Sequence, residues 1–320
     1  MVTKPCIDIV LATYNGERFI MQQIRSLQNC ALYTELVARV IVVDDGSSDQ
    51  TEAIIARLQQ GDNRIEWHVN PGPLHGPSAN FNFGLSLSSA EYIMLCDQDD
   101  IWHANKIARS FQAISTRAIK GRKIIQVQQP VLVFSDKRIV DQDLNELCAS
   151  FFQLRNISRQ WHHSTQQLLQ QNVASGCTML FNRQLLQLAL PIPPAAFMHD
   201  WWLILVAKLN GEVVFIDEPL IDYRQHSNNS LGAKSHSVLY LIRHFFRHLQ
   251  RFETNFWHTV EQAAALQTRF SNTSVTEAQF ARFKHYSYWQ RLGLFCQGKV
   301  RQHNWKGQLA LFLTLLKGRG

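Results

Sequence analysis

The chain has 320 residues, 46% hydrophobic and 18% charged, with a formal net charge of +7. That length and apolar content suit one large domain or two smaller ones and exclude a disordered chain. No apolar run reaches the roughly 18 residues that a membrane span needs. The six cysteines include no Cys-x-x-Cys pair, so reduced thiols in a cytoplasmic protein are expected rather than a disulfide framework.

The first strand is expected at Ile7 to Ala12, and because Met1 to Pro5 leads straight into it, no signal peptide is expected. Thr13-Tyr14-Asn15-Gly16 is turn chemistry, and Arg18 to Gln28 follows as an amphipathic helix with Phe19, Ile24 and Leu27 inward. Val40 to Val43 is a second strand, stopped by Asp44-Asp45-Gly46-Ser47-Ser48-Asp49; Gln50 to Leu58 is the next helix and Ile65 to Val69 the third strand. After a loop from Pro71 to Pro77, Ser78 to Leu87 is helical and Tyr92 to Cys96 forms a fourth strand. Strand alternating with helix at this pace predicts a mostly parallel α/β sheet flanked by helices, whose ligands sit at the carboxyl ends of the strands.

That fourth strand runs into Asp97, Asp99 and Asp100, with only Gln98 between them. Three acids within four residues repel one another, so gathering them at a strand's end calls for a cation. Carboxylate oxygens suit Mg2+ or Mn2+, which in turn hold phosphate oxygens. The alternative is a solvated acidic turn before a helix starting near Ala104.

The second half is less regular. Val131 to Ser135 and Cys177 to Phe181 read as strands, Pro191 to Pro194 as a rigid loop, and His199-Asp200-Trp201-Trp202 as the opening of a helix to about Leu209. Val213 to Ile216 and Leu220 to Tyr223 read as two more strands, followed by Arg224-Gln225-His226. From Ser235 onward the pattern is helical only. A domain boundary is expected at 230/231, with residues 1–230 catalytic and 231–320 a basic helical segment. Residues 231–320 hold 13 Lys+Arg against 3 Asp+Glu, so they carry the whole positive excess. Such a segment suits an anionic surface.

Taken together, Ile9–Asn15, Val42–Thr51, Tyr92–Trp102, His199–Trp202 and Tyr223–His226 resemble family 2 of the nucleotide-sugar glycosyltransferases, over about residues 5 to 230. Asp-Gln-Asp-Asp-Ile-Trp and His-Asp-Trp-Trp are most similar to the bacterial rhamnosyltransferase-like branch, which builds O-antigen and capsule polysaccharides. The resemblance implies the GT-A fold, inversion at the anomeric carbon and a divalent metal, Mn2+ or Mg2+.

It also implies roles for particular residues. Thr13, Tyr14, Asn15 and Glu17 would hold the nucleotide base and ribose. Asp44 or Asp45 would accept the imide N–H of a pyrimidine ring, while Ser47, Ser48 or Asp49 caps the next helix; which acid faces inward stays open. Asp97 would lie near ribose and metal, Asp99 on the metal, and His226 would be a further ligand. Arg224 would neutralise the leaving diphosphate. Asp100 either caps a helix or supports the site, and Trp102 packs in the core or walls the sugar pocket, core being preferred. Asn80 stands where the family has Ala-Arg-Asn, here Ala79-Asn80-Phe81 without the basic residue.

Asp200 is the expected general base, taking the acceptor hydroxyl's proton; its alternative is a plain helix cap. His199 either orients that acid or is structural. Val238 to Phe256 places Val238, Ile242, Phe245, Leu249, Phe252 and Phe256 on one stripe opposite Arg243, Arg247 and Arg251. Such a helix lies in an anionic membrane interface or packs on the catalytic domain. Leu309 to Leu316 is apolar and too short to span, but long enough to dip into a leaflet.

The expected partners are therefore a nucleoside-diphosphate sugar, such as dTDP-rhamnose, and a lipid-linked oligosaccharide or glycan acceptor on the inner face of the bacterial plasma membrane. Two rival readings meet obstacles in the sequence. A nucleotidyltransferase would need a glycine-rich phosphate loop where Tyr14-Asn15-Gly16-Glu17 stands. A nucleic-acid binder, suggested by a pI near 9.2, conflicts with 22 acidic against 19 basic residues over 1–230.

Overall fold

The computed structural model describes residues 4–115, 129–226, 245–270, 275–302 and 305–316. The chain divides into two compact units. The first comprises Met1–Arg159, Ala174–Ile192 and Met198–Asn229; the second comprises Gln160–Val173, Pro193–Phe197 and Ser230–Gly320.

The first unit is built on one sheet. In chain order its elements are β1 (Ile7–Thr13), α1 (Ile20–Gln28), α2 (Tyr33–Leu36), β2 (Val37–Asp44), α3 (Thr51–Gly61), β3 (Ile65–Val69), α4 (Pro77–Leu87), β4 (Tyr92–Asp97), β5 (Ile101–Trp102) and α5 (Lys106–Ser115). Then come β6 (Val131–Val140), β7 (Glu146–Cys148) and α6 (Phe151–Leu154). The second unit's α7 (Thr165–Gln170) intervenes before β8 (Met179–Asn182), α8 (Arg183–Ala189), α9 (His199–Asn210) and β9 (Glu212–Arg224). The strand order is β3-β2-β1-β4-β8-β6-β9-β5, with β7 on β6. β3, β2, β1 and β4 are mutually parallel, as are β6 and β9. β8 runs antiparallel to both its neighbours, and so does the two-residue β5 to β9.

The apolar runs become strands because they are buried on both faces. Ile9, Val10 and Leu11, Val40 to Val43, and Ile93 to Cys96 are all fully buried, as expected for a sheet covered by helices. α4 reaches the sheet through Gly84, where a Cβ would stand 2.5 Å from Val10 Cγ1 and 2.7 Å from Val43 Cγ2. At the amino end of β1, the buried Asp8 carboxylate takes Arg39 at 2.7 Å, the Ser88 hydroxyl, and the N–H groups of Ser89 and Ala90. Burial pushes that acid up, but the Arg39 bond and the three other donors outweigh it and hold it low.

Three sequence expectations change. The strand expected at Cys177 opens as a 3-10 turn, Gly176–Thr178, and pairs only from Met179. Val213–Ile216 and Leu220–Tyr223 are one 13-residue strand, whose register on β6 shifts at Ser135–Asp136 and again before Arg138, so the break in the apolar pattern is an irregularity within β9. The helix expected near Ala104 starts at Lys106, and Asp100 does not cap it: Asp100 is fully buried and accepts the Arg224 N–H at 3.2 Å. Trp102 is core, 3% exposed.

The second unit is helical, with α7, α10 (Phe245–Arg269), α11 (Val275–Ala281), α12 (Tyr288–Cys296) and α13 (Trp305–Leu316). Leu249, Phe256, Trp257 and Val260 of α10 are buried, Phe256 meeting Phe280 and Phe283 edge-on at 6.2 and 5.5 Å. Arg247 and Arg251 are exposed. Leu249 and Phe256 of the expected Val238–Phe256 stripe therefore face the interior of their own unit; Val238, Ile242 and Arg243 and the side chain of Phe245 lie outside the described residues.

Candidate active site

The loops after β1, β2 and β4 come together because the strands end in register. Thr13 pairs with Asp44, and Ala12 with Asp97. β1 lies between β2 and β4, so the chain leaves β1 toward one side and returns on the other. This is the switch point at which open α/β sheets bind ligands.

Thr13 to Glu17 is laced to the loop after β2. Asn15, at φ 47°, donates its N–H to Ser47 Oγ, and its side chain accepts the Ser48 N–H. Glu17 and Asp49 are reciprocal: the Glu17 N–H goes to Asp49 Oδ2, and the Gln50 N–H to Glu17 Oε2. Asp49 also takes the N–H of Thr51, the first residue of α3, although the cap position itself is Gln50 and not Ser47, Ser48 or Asp49. Asp44 is buried and accepts from Gly46 N, Ser47 N and the Ser47 hydroxyl. Asp45 takes the Asn70 amide, the Gly76 N–H at 2.6 Å and His75 Nδ1 at 3.0 Å. Asp44 thus shapes its own turn, while Asp45 fastens the loop before α4. Asn80 reaches from α4 to the Val43 carbonyl at 2.8 Å, holding the end of β2. Tyr14 is 56% exposed, open to stack on a planar ring.

The acids after β4 collect at two points. Oxygens of Asp97 and Asp100 and the Cys177 sulfur lie within 4.8 Å of one another. Asp100 Oδ2 is buried with no hydrogen-bond partner among the described residues. Burial first, then the Asp99 carboxylate, pushes Asp97 up to about 7, with Asp200 adding to it. Asp99 instead pairs with His226, Oδ2 to Nε2 at 2.7 Å, and Phe19 lies against that imidazole at 4.9 Å. His226 therefore reaches the acids through Asp99. Arg224 is buried, and each guanidinium nitrogen meets an oxygen of the protein: Nε the Asp99 carbonyl, one terminal nitrogen the Gln142 carbonyl, the other Gln22 Oε1. It fixes the Asp97–Asp100 loop to the end of β9.

Asp200 lies in the first turn of α9. Its Oδ2 accepts the Gly176 N–H at 3.1 Å, and its Oδ1 the Trp201 N–H at 2.6 Å. Gly176 precedes Cys177, so one turn touches both Asp200 and the acid cluster. A Cβ on Gly176 would stand 2.8 Å from His199 Nε2, so a larger residue there would displace the imidazole. His199 is buried, stacked on Phe81 at 4.2 Å, and neither ring nitrogen has a partner among the described residues. Burial lowers its pKa and keeps the ring neutral.

Several contributors are silent in the sequence. Gln98 takes the Thr13 hydroxyl at 2.7 Å and the Tyr14 N–H, and returns its amide to the Tyr14 carbonyl, coupling the loops after β1 and β4. Lys137, in β6, is buried beside the acids. Ser175 and Gly176 carry a signal only in hindsight, as a small-residue pair entering a strand. Gln98 and Lys137 carry none, since each acts across more than 35 residues.

The donor set fits a divalent cation. Carboxylates are hard oxygen ligands, one buried carboxylate oxygen is unsatisfied, and the acids raise one another's proton affinity, as expected where a positive charge is to be accommodated.

Fold and strand-end chemistry define the GT-A class of nucleotide-sugar glycosyltransferases. TarS residues 1–349 of S. aureus, solved with UDP-GlcNAc, superposes with TM-score 0.58 at 16% identity, over 97% of this chain and 79% of that one. The mannosyltransferase PcManGT of Pyrobaculum calidifontis, solved with GDP-Man and Mn2+, gives TM-score 0.53 at 14% identity, over 98% and 87%. The sequence profile of glycosyl transferase family 2 matches residues 8–187, and the chain belongs to that family. A dTDP-rhamnosyl transferase of Shigella flexneri, RfbG, is 26% identical over 238 residues, 70% of this chain and 74% of that protein. A Campylobacter jejuni GalNAc(5)-diNAcBac-PP-undecaprenol beta-1,3-glucosyltransferase is 34% identical over 96 residues, only 30% of either chain.

Proposed function

We propose that this glycosyltransferase moves a sugar, with inversion, from a pyrimidine nucleoside-diphosphate donor such as dTDP-rhamnose to a lipid-linked oligosaccharide or polysaccharide acceptor in O-antigen or capsule synthesis. The observation that carries the reading is the convergence of Asp97, Asp99, Asp100 and Asp200 at the carboxyl ends of β1 and β4. The name of the Shigella relative supports the donor, and that of the Campylobacter relative the lipid-linked acceptor.

Thr13, Tyr14, Asn15, Glu17 and the Asp44–Asp45 turn hold the nucleoside. Asp97 and Asp100, with Asp99 held by His226, would bind Mn2+ or Mg2+. A divalent ion there supplies positive charge to the diphosphate as negative charge develops on it. Arg224 keeps the acid loop in place and adds charge beside it. Asp200 takes the acceptor O–H proton as that oxygen bonds to the anomeric carbon; the C–O bond to the diphosphate breaks and the nucleoside diphosphate leaves with its electron pair. Attack opposite the leaving group inverts the centre. The Gly176 N–H aims the Asp200 carboxylate.

The chain also works against an anionic membrane. Trp305, Leu309, Phe312 and Leu316 recur at helical spacing along α13 and are 72, 46, 38 and 42% exposed, while Leu311 and Leu315 on the other side are buried. A helix apolar on both faces needs a second cover. A leaflet whose headgroups attract the +10 segment 231–320 provides it. No helix among the described residues is long and apolar enough to cross.

Thermal-shift screening of dTDP-rhamnose, other dTDP- and UDP-sugars and GDP-mannose, each with and without Mn2+, tests the reading. A cognate donor raises the melting temperature by mass action, and more with Mn2+. Stabilisation by GDP-mannose alone would overturn the pyrimidine assignment.

A further inference from the structure

We propose that Lys137 is a built-in counter-cation of the acid cluster, a positioning residue whose charge sets how tightly the cluster takes a divalent ion. The proposal rests on the metal reading above.

Lys137 is 6% exposed, and its ammonium is held in an unusual way. Nζ donates to Ser175 Oγ at 2.8 Å, its one side-chain hydrogen bond among the described residues. Otherwise it faces two aromatic rings, 3.6 Å from the Tyr223 centroid and 4.7 Å from that of Phe151. Ring faces hold a cation without neutralising it. The backbone beneath is fixed as well, because Asp136 turns its carboxylate onto the Lys137 N–H, the Phe152 N–H and the Ser150 hydroxyl.

The charge so held stands on the turn that meets the acids: Ser175 leads into Gly176, which binds Asp200, and Cys177, which lies with Asp97 and Asp100. Against burial and mutual repulsion, Lys137 is the cation that lowers the proton affinity of both Asp97 and Asp100. Tyr223, which carries it, lies in the field of Asp100, Asp97 and Asp99. Ser175, its hydrogen-bond partner, begins the turn that contacts Asp200 and Cys177. Two other cations stand at the cluster: Arg224, which works through bonds to oxygens, and the buried Lys106, which lies over the Trp102 ring in the field of Asp100 and Cys177. Among the described residues Lys137 makes no such bond to a carboxylate and acts through space.

Two consequences follow from a fixed charge at that place. It offsets part of the acids' mutual repulsion before any ion arrives. It also repels an arriving divalent ion, so the site holds the ion loosely until a diphosphate brings further negative charge.

The test is Mn2+ binding to the full chain without donor, read from the paramagnetic resonance signal of free Mn2+ at a fixed pH of 8.5. Lys137→Met and Lys137→Gln both remove the charge, and the Gln variant keeps a donor for Ser175 should the Met variant fold poorly. Both should bind Mn2+ more tightly than wild type, by roughly ten-fold for one charge lost at short range. Lys137→Arg, which keeps the charge, should stay within about two-fold of wild type. Folded Met or Gln variants with unchanged or weaker Mn2+ affinity would overturn the proposal while leaving the metal site standing. Absence of Mn2+ binding in wild type and variants alike would remove the metal site and the role of Lys137 together.

Discussion

Asp200 serves two ends in the first turn of α9: one carboxylate oxygen is aimed by Gly176, and the other closes on the Trp201 N–H. The two roles separate in Asp200→Asn. Loss of the base lowers sugar transfer roughly 100-fold or more and leaves donor affinity nearly unchanged. The cap position of α9 is Met198, so Asp200 is not the plain cap; a merely structural first-turn carboxylate contributes about 0.3–1 kcal/mol of stability, and its loss spares the rate. Transfer rate, donor affinity and melting temperature on that one variant decide between them. A lower melting point with a near-normal rate would sink the base assignment. Asp97 carries the pH dependence. Burial and Asp99 raise it to about 7, against about 3.9 in an unfolded chain. The metal-free fold thus keeps a proton that the unfolded chain has released, and this group's contribution to stability falls as pH rises from about 4 to about 7. A metal must displace that proton, so Mn2+ affinity should weaken below pH 7, approaching ten-fold per unit. A flat profile from pH 5.5 to 8 would show that Asp97 is not a ligand.

At the level of elements, the first half of the sheet was legible because β1, β2 and β4 are buried on both faces and end in polar turns; the half-buried edge strand Ile65–Val69 also agrees residue for residue. The strand-end loops were legible as motifs. Their cross-links were not: the Gln98 bonds to Thr13 and Tyr14 join residues about 85 apart, and local pattern carries no such pairing. β9 was read as two strands because Asp217, Glu218 and Pro219 break its apolar run, where the register on β6 slips. Arg224 was legible as a basic residue at the site, but not its three bonds to protein oxygens. The end of β9 also has its own acid dependence. Burial disfavours the Asp222 carboxylate, but bonds from His103 at 2.7 Å and Arg138 at 2.6 Å win and hold it at about 2. This depressed acid adds stability that is complete above about pH 4 and lost as pH falls through about 2. Acid unfolding followed by circular dichroism should shift to higher pH in Asp222→Asn; an unchanged midpoint would mean the bonds add nothing. Under the sheet, Arg39→Met strands the buried Asp8 and should cost about 3 kcal/mol in urea unfolding, whereas a cost below about 1 kcal/mol would mark the pair as a surface contact.

For the whole molecule, α10 turns the described apolar residues Leu249 and Phe256 into its own unit, so the proposed leaflet contact rests on α13. Wild-type protein should float with anionic liposomes at low salt, and Trp305→Ala with Phe312→Ala should reduce flotation several-fold without changing transfer to a soluble acceptor. Equal flotation of the double variant would move the contact elsewhere on the basic segment. The central claim, that strand-end acids and a divalent ion together drive sugar transfer, is tested most directly by turnover with metal-free donor in excess EDTA, followed by addition of Mn2+. Transfer should stop in EDTA and return with Mn2+ in the wild type, and fail to return in Asp99→Asn. Full wild-type turnover in EDTA would contradict it.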